Sequence, residues 1–149
     1  MKVLLDTNVV LDLLLERDPW RVQAEAIAEA GADGRLQPHV SVSSITDIYY
    51  ISRRLVGAEE ARRVVRACLD SLQIIGVTRE LLNAAELRPG RDYEDNLQIE
   101  CAIASGLDAI ITRYPKGFAG SPVTLLTPAE CVARLTRSVT IESQEDESP

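Results

Sequence analysis

The chain has 149 residues, 46% of them hydrophobic and 26% charged, which is enough apolar material for one folded domain and excludes wholesale disorder. Its 16 basic and 23 acidic residues give a net charge of −7, which argues against a protein that grips nucleic acid through a basic surface but not against brief contact with RNA. Three widely spaced cysteines favour reduced thiols over a disulfide framework, and no apolar run approaches the roughly 20 residues that cross a bilayer, so we expect a cytoplasmic protein without membrane contact.

Short apolar runs alternate along the chain with longer amphipathic segments. The short runs predict strands at residues 3–5, 36–42, 74–77, 109–112 and 123–126. The longer segments predict helices at about 9–15, 19–31, 45–55, 58–72, 78–87, 92–106 and 128–135. Strands that alternate with helices in this way indicate a parallel sheet.

Several of the predicted helices begin at a local signal in the sequence. Asp18 precedes Pro19, a combination typical of a capping residue followed by the first helical position. Ser43 and Ser44 are predicted to cap the third helix. Thr127 begins a capping box for the last helix, which is expected to be short.

We therefore predict an α/β fold: a single domain with a central, mainly parallel sheet of about five strands and helices on both faces. The domain is expected to cover residues 1–135, and residues 136–149 are expected to form an acidic, flexible tail. In folds of this class, ligands gather at the carboxyl ends of the strands. That edge of the sheet is where functional side chains are expected.

Three aspartates fall where a strand or loop passes into a helix. Asp6 ends the first strand, whereas Asp47 and Asp95 lie in the first turns of later predicted helices. Converging carboxylates are hard oxygen ligands suited to Mg²⁺ or Mn²⁺, and such a metal activates water for attack on a phosphodiester. Helix capping and the helix dipole alone could explain the other first-turn acids, Asp47, Asp92, Glu94 and Asp95. Asp6 favours a function, because an unpaired charge is costly at the end of a buried strand.

Separate segments of the chain carry the likeness to a known family. They are DTNVVLD at 6–12, SITDIYY at 44–50, and DYED at 92–95 together with ITR at 111–113. In order and spacing these segments resemble the PIN domain family and, within it, the bacterial toxins of the VapC type. The likeness extends from Met1 to about Leu135.

The resemblance implies a metal-dependent endoribonuclease that cleaves single-stranded RNA and is the toxin component of a toxin–antitoxin pair. On the matching positions, Asp6, Asp47 and Asp95 are the expected catalytic residues and the expected ligands of Mg²⁺ or Mn²⁺. Asp92 is a weaker candidate for the same metal site. The resemblance further implies a cognate antitoxin as partner and a homodimer.

Further side chains near the same edge are expected to contact the substrate, namely Asn8, Thr112, Arg113 and Lys116. Arg113 and Lys116 follow the fourth predicted strand and carry the charge needed to hold a phosphate. An exposed loop without a ligand is the other interpretation of these two cations. Asn8 is also consistent with capping the first helix or with orienting Asp6.

The chain departs from the family pattern at Tyr114 and Gly117. The family usually has Asp or Asn at the first position and often Asp at the second, and a neutral tyrosine hydroxyl is a poor ligand for a hard cation. The alternative function is therefore a catalytically weak or inactive PIN-like module that binds protein or RNA. A phosphatase of the haloacid dehalogenase type is disfavoured, because Asn8 stands where such an enzyme has a second acid.

Overall fold

The structure is a computed structural model that describes the backbone of residues 1–145 and the side chains of residues 1–138. The last part of the predicted tail, residues 146–149, lies outside the described residues. The division into a domain at 1–135 and a tail at 136–149 stays a prediction.

The centre of the fold is a sheet of five strands in the order β3-β2-β1-β4-β5, in which every neighbouring pair is parallel. The strands are β1 (Lys2–Leu5), β2 (Gln37–Ser41), β3 (Gln73–Ile75), β4 (Ala109–Ile111) and β5 (Thr124–Leu126). Leu4 of the central strand pairs in register with His39 of β2 and Ile110 of β4. The predicted strands are confirmed, and their bounds shift only slightly.

Helices cover both faces of this sheet. They are α1 (Thr7–Leu14), α2 (Arg21–Ala32), α3 (Val42–Val56), α4 (Ala58–Ser71), α5 (Arg79–Glu86), α6 (Tyr93–Ala104) and α7 (Pro128–Glu145), with a 3₁₀ turn at Pro115–Phe118. The first four helices and α7 pack on the face that carries Leu5 and Ile111, whereas α5 and α6 pack on the face that carries Leu4 and Ile110. Because side chains alternate along a strand, both faces are buried, and the predicted α/β fold is confirmed.

The predicted start of the second helix is wrong. Asp18 and Pro19 belong to a turn, which is closed by the hydrogen bond from the Arg21 backbone N–H to the Arg17 carbonyl at 2.9 Å. Trp20 stands at the N-cap of α2 without a side-chain capping hydrogen bond. The acid and proline therefore shape the connection before the helix and do not begin it.

The predicted cap of the third helix is also wrong. Ser41, the last residue of β2, accepts a hydrogen bond from the backbone N–H of Ser44 at 3.2 Å and is the N-cap of α3. The helix consequently begins at Val42, and Ser43 lies inside it. This earlier start moves Asp47 out of the first turn, which contains no acid.

The last helix is longer than predicted. α7 extends to Glu145, past its expected end near Leu135. No glycine or further proline occurs between Pro128 and Glu145, so neither residue type interrupts the helix in this range. The hydroxyl of Ser138 donates a hydrogen bond to the Arg134 carbonyl one turn earlier, at 3.1 Å.

The cysteines agree with their prediction. Cys68, Cys101 and Cys131 are buried free thiols. Burial raises the pKa of each thiol to about 11, so they are protonated and unreactive near neutral pH. Through the part of the chain that the structure describes, no helix has the length and apolar character to cross a bilayer.

Candidate functional site

The candidate site lies at the carboxyl edge of the sheet, between β1 and β4. β2 and β3 extend the sheet on one side of β1, and β4 and β5 extend it on the other. This arrangement makes the edge between β1 and β4 the switch point at which α/β folds bind ligands. Asp6 follows β1 and Thr112 follows β4, so their side chains meet there.

Asp6 is buried at this switch point, with 7% of its surface exposed. Its carboxylate accepts hydrogen bonds from the Thr112 hydroxyl at 2.8 Å and from the Gln98 amide nitrogen at 3.4 Å. Burial raises the pKa of Asp6, while the hydrogen bonds from Thr112, Gln98 and the Thr7 backbone lower it. Asp6 is the N-cap of α1, but its side chain makes no capping hydrogen bond. Helix capping therefore does not explain this carboxylate.

The first turn of α6 brings further acids to the site. Asp92 is the N-cap, and its carboxylate accepts a hydrogen bond from the Asp95 backbone N–H at 3.1 Å, so the capping interpretation is confirmed for Asp92. The pKa of Asp95 is raised to about 6, first by burial and then by repulsion from Asp92, Asp6 and Glu94. Asp95 is therefore surrounded by like charges.

Glu94 connects α6 to α3. Its carboxylate accepts a hydrogen bond from the Ser43 hydroxyl at 2.9 Å. Burial raises the pKa of Glu94, and repulsion from Asp47, Asp92 and Asp6 raises it further. Asp47 lies four residues after Ser43, on the same face of α3, and is exposed. The structure thus places Asp47 near Glu94, on the exposed surface of α3.

We call Asp6, Glu94 and Asp95 the acid cluster. Sequence reasoning assigned Glu94 to the helix dipole and missed its contact with Ser43. Among the residues that the structure describes, no group of three potential ligands is already arranged as a metal site. The donor set nevertheless fits Mg²⁺ or Mn²⁺, because it consists of carboxylate oxygens that repel one another.

Gly117 and Tyr114, where the chain departs from the family pattern, follow β4. A Cβ atom at Gly117 would lie 2.5 Å from Asp95 Oδ2, closer than two such atoms approach. The Asp95 carboxylate therefore fills the space that a side chain at 117 would need. Tyr114 is 57% exposed, and its hydroxyl accepts a hydrogen bond from Arg113 at 3.4 Å.

A second group of charges adjoins Asp6 and was not predicted. Asp12 of α1 is 1% exposed, and its two carboxylate oxygens lie 2.9 Å from Arg113 Nε and 3.3 Å from Arg17 Nε. The Arg113 guanidinium carbon lies 3.9 Å from the centroid of the Trp20 ring. The signal in the sequence was Asp12 itself, the one acid within the apolar run at 9–15.

Two of the predicted substrate-binding residues near Asp6, Thr112 and Arg113, contact other side chains. The Thr112 hydroxyl donates its proton to Asp6, and the Arg113 side chain is 8% exposed and paired with Asp12. Asn8 is half-buried in the first turn of α1. The ion pair with Asp12 therefore occupies the Arg113 guanidinium, which disfavours its predicted contact with a substrate phosphate.

Lys116 has the surroundings expected of a substrate-binding residue. It is exposed, and together with Arg91 it lines an open cleft of about 620 Å³. Gly117 lines the same cleft and lies against the Asp95 carboxylate, so the cleft adjoins Asp95.

A profile of the PIN domain family matches residues 2–114 of this chain. Solved structures with a similar fold include a toxin–antitoxin complex from Klebsiella pneumoniae, with 24% identity over 85% of this chain and 97% of that chain and a TM-score of 0.64. VapBC-1 from nontypeable Haemophilus influenzae has 15% identity over 87% of this chain and 99% of that chain, with a TM-score of 0.65. VapC20 from Mycobacterium tuberculosis, a sarcin-ricin loop cleaving toxin, has 15% identity over 72% and 86%, with a TM-score of 0.60. No functionally curated protein matches the sequence significantly.

The likeness to these solved structures shows the fold, since their identities to this chain are 24% and 15%. The family profile is evidence of family membership, because it spans most of the chain and includes the segments around Asp6, Asp47 and Asp95. The resemblance noted in the sequence is therefore confirmed: this chain belongs to the PIN domain family.

Proposed function

We propose that this PIN domain is a divalent-metal-dependent endoribonuclease that cleaves single-stranded RNA and is the toxin component of a toxin–antitoxin pair. The observation that carries the proposal is the acid cluster at the switch point of the sheet. Asp6 raises the pKa of both Glu94 and Asp95 in a place where burial already raises it. Such an arrangement is costly unless a cation offsets the charges, as at a metal site. VapC20, a sarcin-ricin loop cleaving toxin, has the same fold, which supports a cleavage reaction for this chain.

Asp6, Glu94 and Asp95 are the residues that we expect to hold Mg²⁺ or Mn²⁺, with Asp47 contributing from α3. A bound divalent ion supplies Lewis-acid stabilisation of the phosphodiester and activates the attacking water. Asp92 supports the site indirectly, since its carboxylate already caps α6 through the Asp95 backbone. The catalytic set of the proposal is thus Asp6, Asp47 and Asp95 with the addition of Glu94.

Neighbouring hydrogen-bond donors orient the carboxylates of this set. The Thr112 hydroxyl and the Gln98 amide hold Asp6, and the Ser43 hydroxyl holds Glu94. Partners of this kind fix the direction of a metal ligand before the metal binds and typically strengthen binding. In the proposal Thr112 acts on Asp6 and not on the substrate.

The RNA strand is proposed to lie along the cleft beside Asp95. Lys116 and Arg91 line this cleft and are suited to bind phosphates on either side of the cleaved bond. Because the chain carries a net charge of −7, such local cations matter for holding a polyanion near the site. Asn8 is proposed to contact the substrate from the first turn of α1.

The test of this function is cleavage of a labelled single-stranded RNA in the presence of Mn²⁺ or Mg²⁺. We expect cleavage by the unaltered chain, loss of cleavage with EDTA, and loss with Asp6→Asn. The matched control is Asp70→Asn, which changes an exposed acid of α4 whose nearest cation, Arg66, lies 3.9 Å away. Equal activity of Asp6→Asn and Asp70→Asn would identify a contaminating nuclease.

A non-catalytic PIN module that binds protein or RNA is the second candidate function. Tyr114 favours it, because this residue replaces the family's usual polar ligand with an exposed ring. The two functions differ in one outcome. Binding of RNA without cleavage in either metal, by a chain that also fails to bind Mn²⁺, would establish the module and exclude the nuclease.

The toxin role requires a partner. The similar structure from Klebsiella pneumoniae is a toxin–antitoxin complex, which supports a cognate antitoxin for this chain. We expect growth arrest when the chain is expressed alone and rescue when a neighbouring small gene is co-expressed. Sedimentation of the purified chain tests the proposed homodimer, which should have twice the 16.4 kDa mass of the monomer.

A further inference from the structure

The buried ion pairs of Asp12 with Arg17 and Arg113 have no part in the function proposed above. Burying charges costs solvation free energy that their attraction often fails to recover. Stability alone is therefore a weak reason for such a group. Its position is more informative, because Arg113 directly follows Thr112, the residue that donates to Asp6.

Arg113 is held from several directions. Its Nε atom lies 2.9 Å from Asp12 Oδ2, and its guanidinium carbon lies 3.9 Å from the Trp20 ring centroid. The Tyr114 ring centroid is 5.2 Å from the same carbon. A planar guanidinium fixed by a carboxylate and an aromatic face has little freedom to turn. We call Asp12, Trp20 and Arg113 the arginine clamp.

The Thr112 hydroxyl is engaged on both sides. The Thr112 oxygen accepts a hydrogen bond from the Tyr114 backbone N–H at 3.0 Å. A hydroxyl has one proton to donate, and with this acceptor position occupied the proton is directed to Asp6 Oδ2 at 2.8 Å. The backbone of residues 112–114, with Arg113 at its centre, thus fixes the contact to Asp6.

We propose that Arg113 is a positioning residue for the metal site: held between Asp12 and Trp20, it fixes residues 112–114 so that Thr112 keeps Asp6 in the orientation that binds a divalent cation. The inference rests on the proposed function, because it requires a metal at Asp6. It replaces the sequence-based expectation that Arg113 contacts a substrate phosphate, which its 8% exposure disfavours.

Charge and position make opposite predictions for a neutral residue at 113. If Arg113 acted on the site only through its charge, its removal would strengthen the binding of a divalent cation, since like charges repel. If it acts through position, its removal weakens binding, because Asp6 loses its fixed orientation. The sign of the change in Mn²⁺ affinity therefore separates the two.

The experiment is calorimetric titration of the full chain with Mn²⁺, with circular dichroism to confirm folding. We expect Arg113→Gln to bind Mn²⁺ about 10-fold more weakly, the lower end of the typical effect of such supporting residues. Trp20→Leu removes the aromatic face without changing charge, and we expect binding up to about 5-fold weaker, from the usual strength of an exposed cation–π contact. Trp20→Phe keeps a ring face and should bind nearly as the unaltered chain does.

Equal or tighter Mn²⁺ binding by folded Arg113→Gln overturns the inference. Should that variant fail to fold, the Trp20 pair decides, because Trp20 is 41% exposed and outside the core. Equal affinity of Trp20→Leu and Trp20→Phe then overturns it. Absence of Mn²⁺ binding by the unaltered chain is a different result, because it removes the proposed metal site and the inference with it.

Discussion

Two buried aspartates in the same short segment differ in their nearest charged neighbours. Asp12 lies within ion-pair distance of two arginines, whereas Asp6 lies in the acid cluster with Glu94 and Asp95. The negative charge of a buried acid that is paired with arginines is offset within the fold. The negative charge of a buried acid among other acids is offset when a cation binds from solution. The first is expected to serve stability and orientation, and the second to serve binding.

The largest expected effect is on stability and comes from Asp12. Asp12→Ala leaves Arg113 buried without its carboxylate, and breaking a buried pair in this way typically costs about 3–5 kcal/mol of the free energy of unfolding. Asp6→Asn is expected to leave stability unchanged or to increase it, because burial already disfavours the charged form of Asp6. Urea unfolding measures both. Equal losses in the two variants would erase the distinction between these aspartates.

The next effect is on metal binding and comes from Gly117. Gly117→Ala places a methyl group where Asp95 Oδ2 now lies, so the carboxylate has to turn away. We expect Mn²⁺ binding about 10-fold weaker, comparable to the loss of an orienting partner. The matched control is Gly76→Ala, because a Cβ atom there meets nothing within 4 Å. If both alanine variants bind Mn²⁺ equally, the close approach of Gly117 to Asp95 does not affect metal binding.

The pH dependence of stability tests the raised pKa of Asp95. Asp95 ionises at its ordinary value of 3.8 in the unfolded chain and has a pKa of about 6 in the folded protein, so the folded state binds the proton more tightly. The contribution of Asp95 to the free energy of unfolding therefore falls as pH rises from about 4 to about 6 and is constant above that range.

Urea unfolding in EDTA at about pH 4 and about pH 7 measures this fall. Asp95→Asn is the control, because it lacks the titrating group and should lose less stability over the same range. Added Mn²⁺ should reduce the fall in the unaltered chain, since metal binds the ionised carboxylates. Identical pH profiles for the chain and for Asp95→Asn would mean that the pKa of Asp95 is not raised in the folded protein.

The smallest effect is expected on RNA affinity. Lys116→Ala, made together with Asp6→Asn to prevent cleavage, should weaken binding of single-stranded RNA and reduce the slope of log affinity against log salt by about 0.7, the value for one phosphate contact. Lys2→Ala in the same background is the control, since Lys2 begins β1 at the opposite edge of the sheet. A salt slope that Lys2→Ala changes as much as Lys116→Ala would place the RNA elsewhere.

Much of the fold was predictable, because strong periodic signals determine it. The strands near 3–5 and 109–112 are short apolar runs, and the structure pairs them in parallel at the centre of the sheet. The helix starts were less predictable, because capping residues occur in several adjacent positions. Ser41 and Ser44 differ little as candidate caps in the sequence, and only the end of β2 decides between them.

The location of the site at the carboxyl edge of the sheet was predictable, whereas several of its side-chain contacts were not. Asp6 stood out because a charge at the end of a buried strand needs an explanation. Glu94 did not, because an acid in a first helical turn is already explained by the dipole, and its contact with Ser43 joins residues 51 positions apart. Arg113 was predicted to contact the substrate because the sequence does not show its pairing with Asp12. That pairing depends on how the end of β4 and α1 meet in space.

Calorimetric titration with Mn²⁺ of the unaltered chain and of Asp6→Asn tests the account most directly, because it measures whether the acid cluster binds a divalent cation. We predict saturable binding by the unaltered chain that is lost in folded Asp6→Asn. Binding that survives in Asp6→Asn, or its absence from the unaltered chain, would contradict the account.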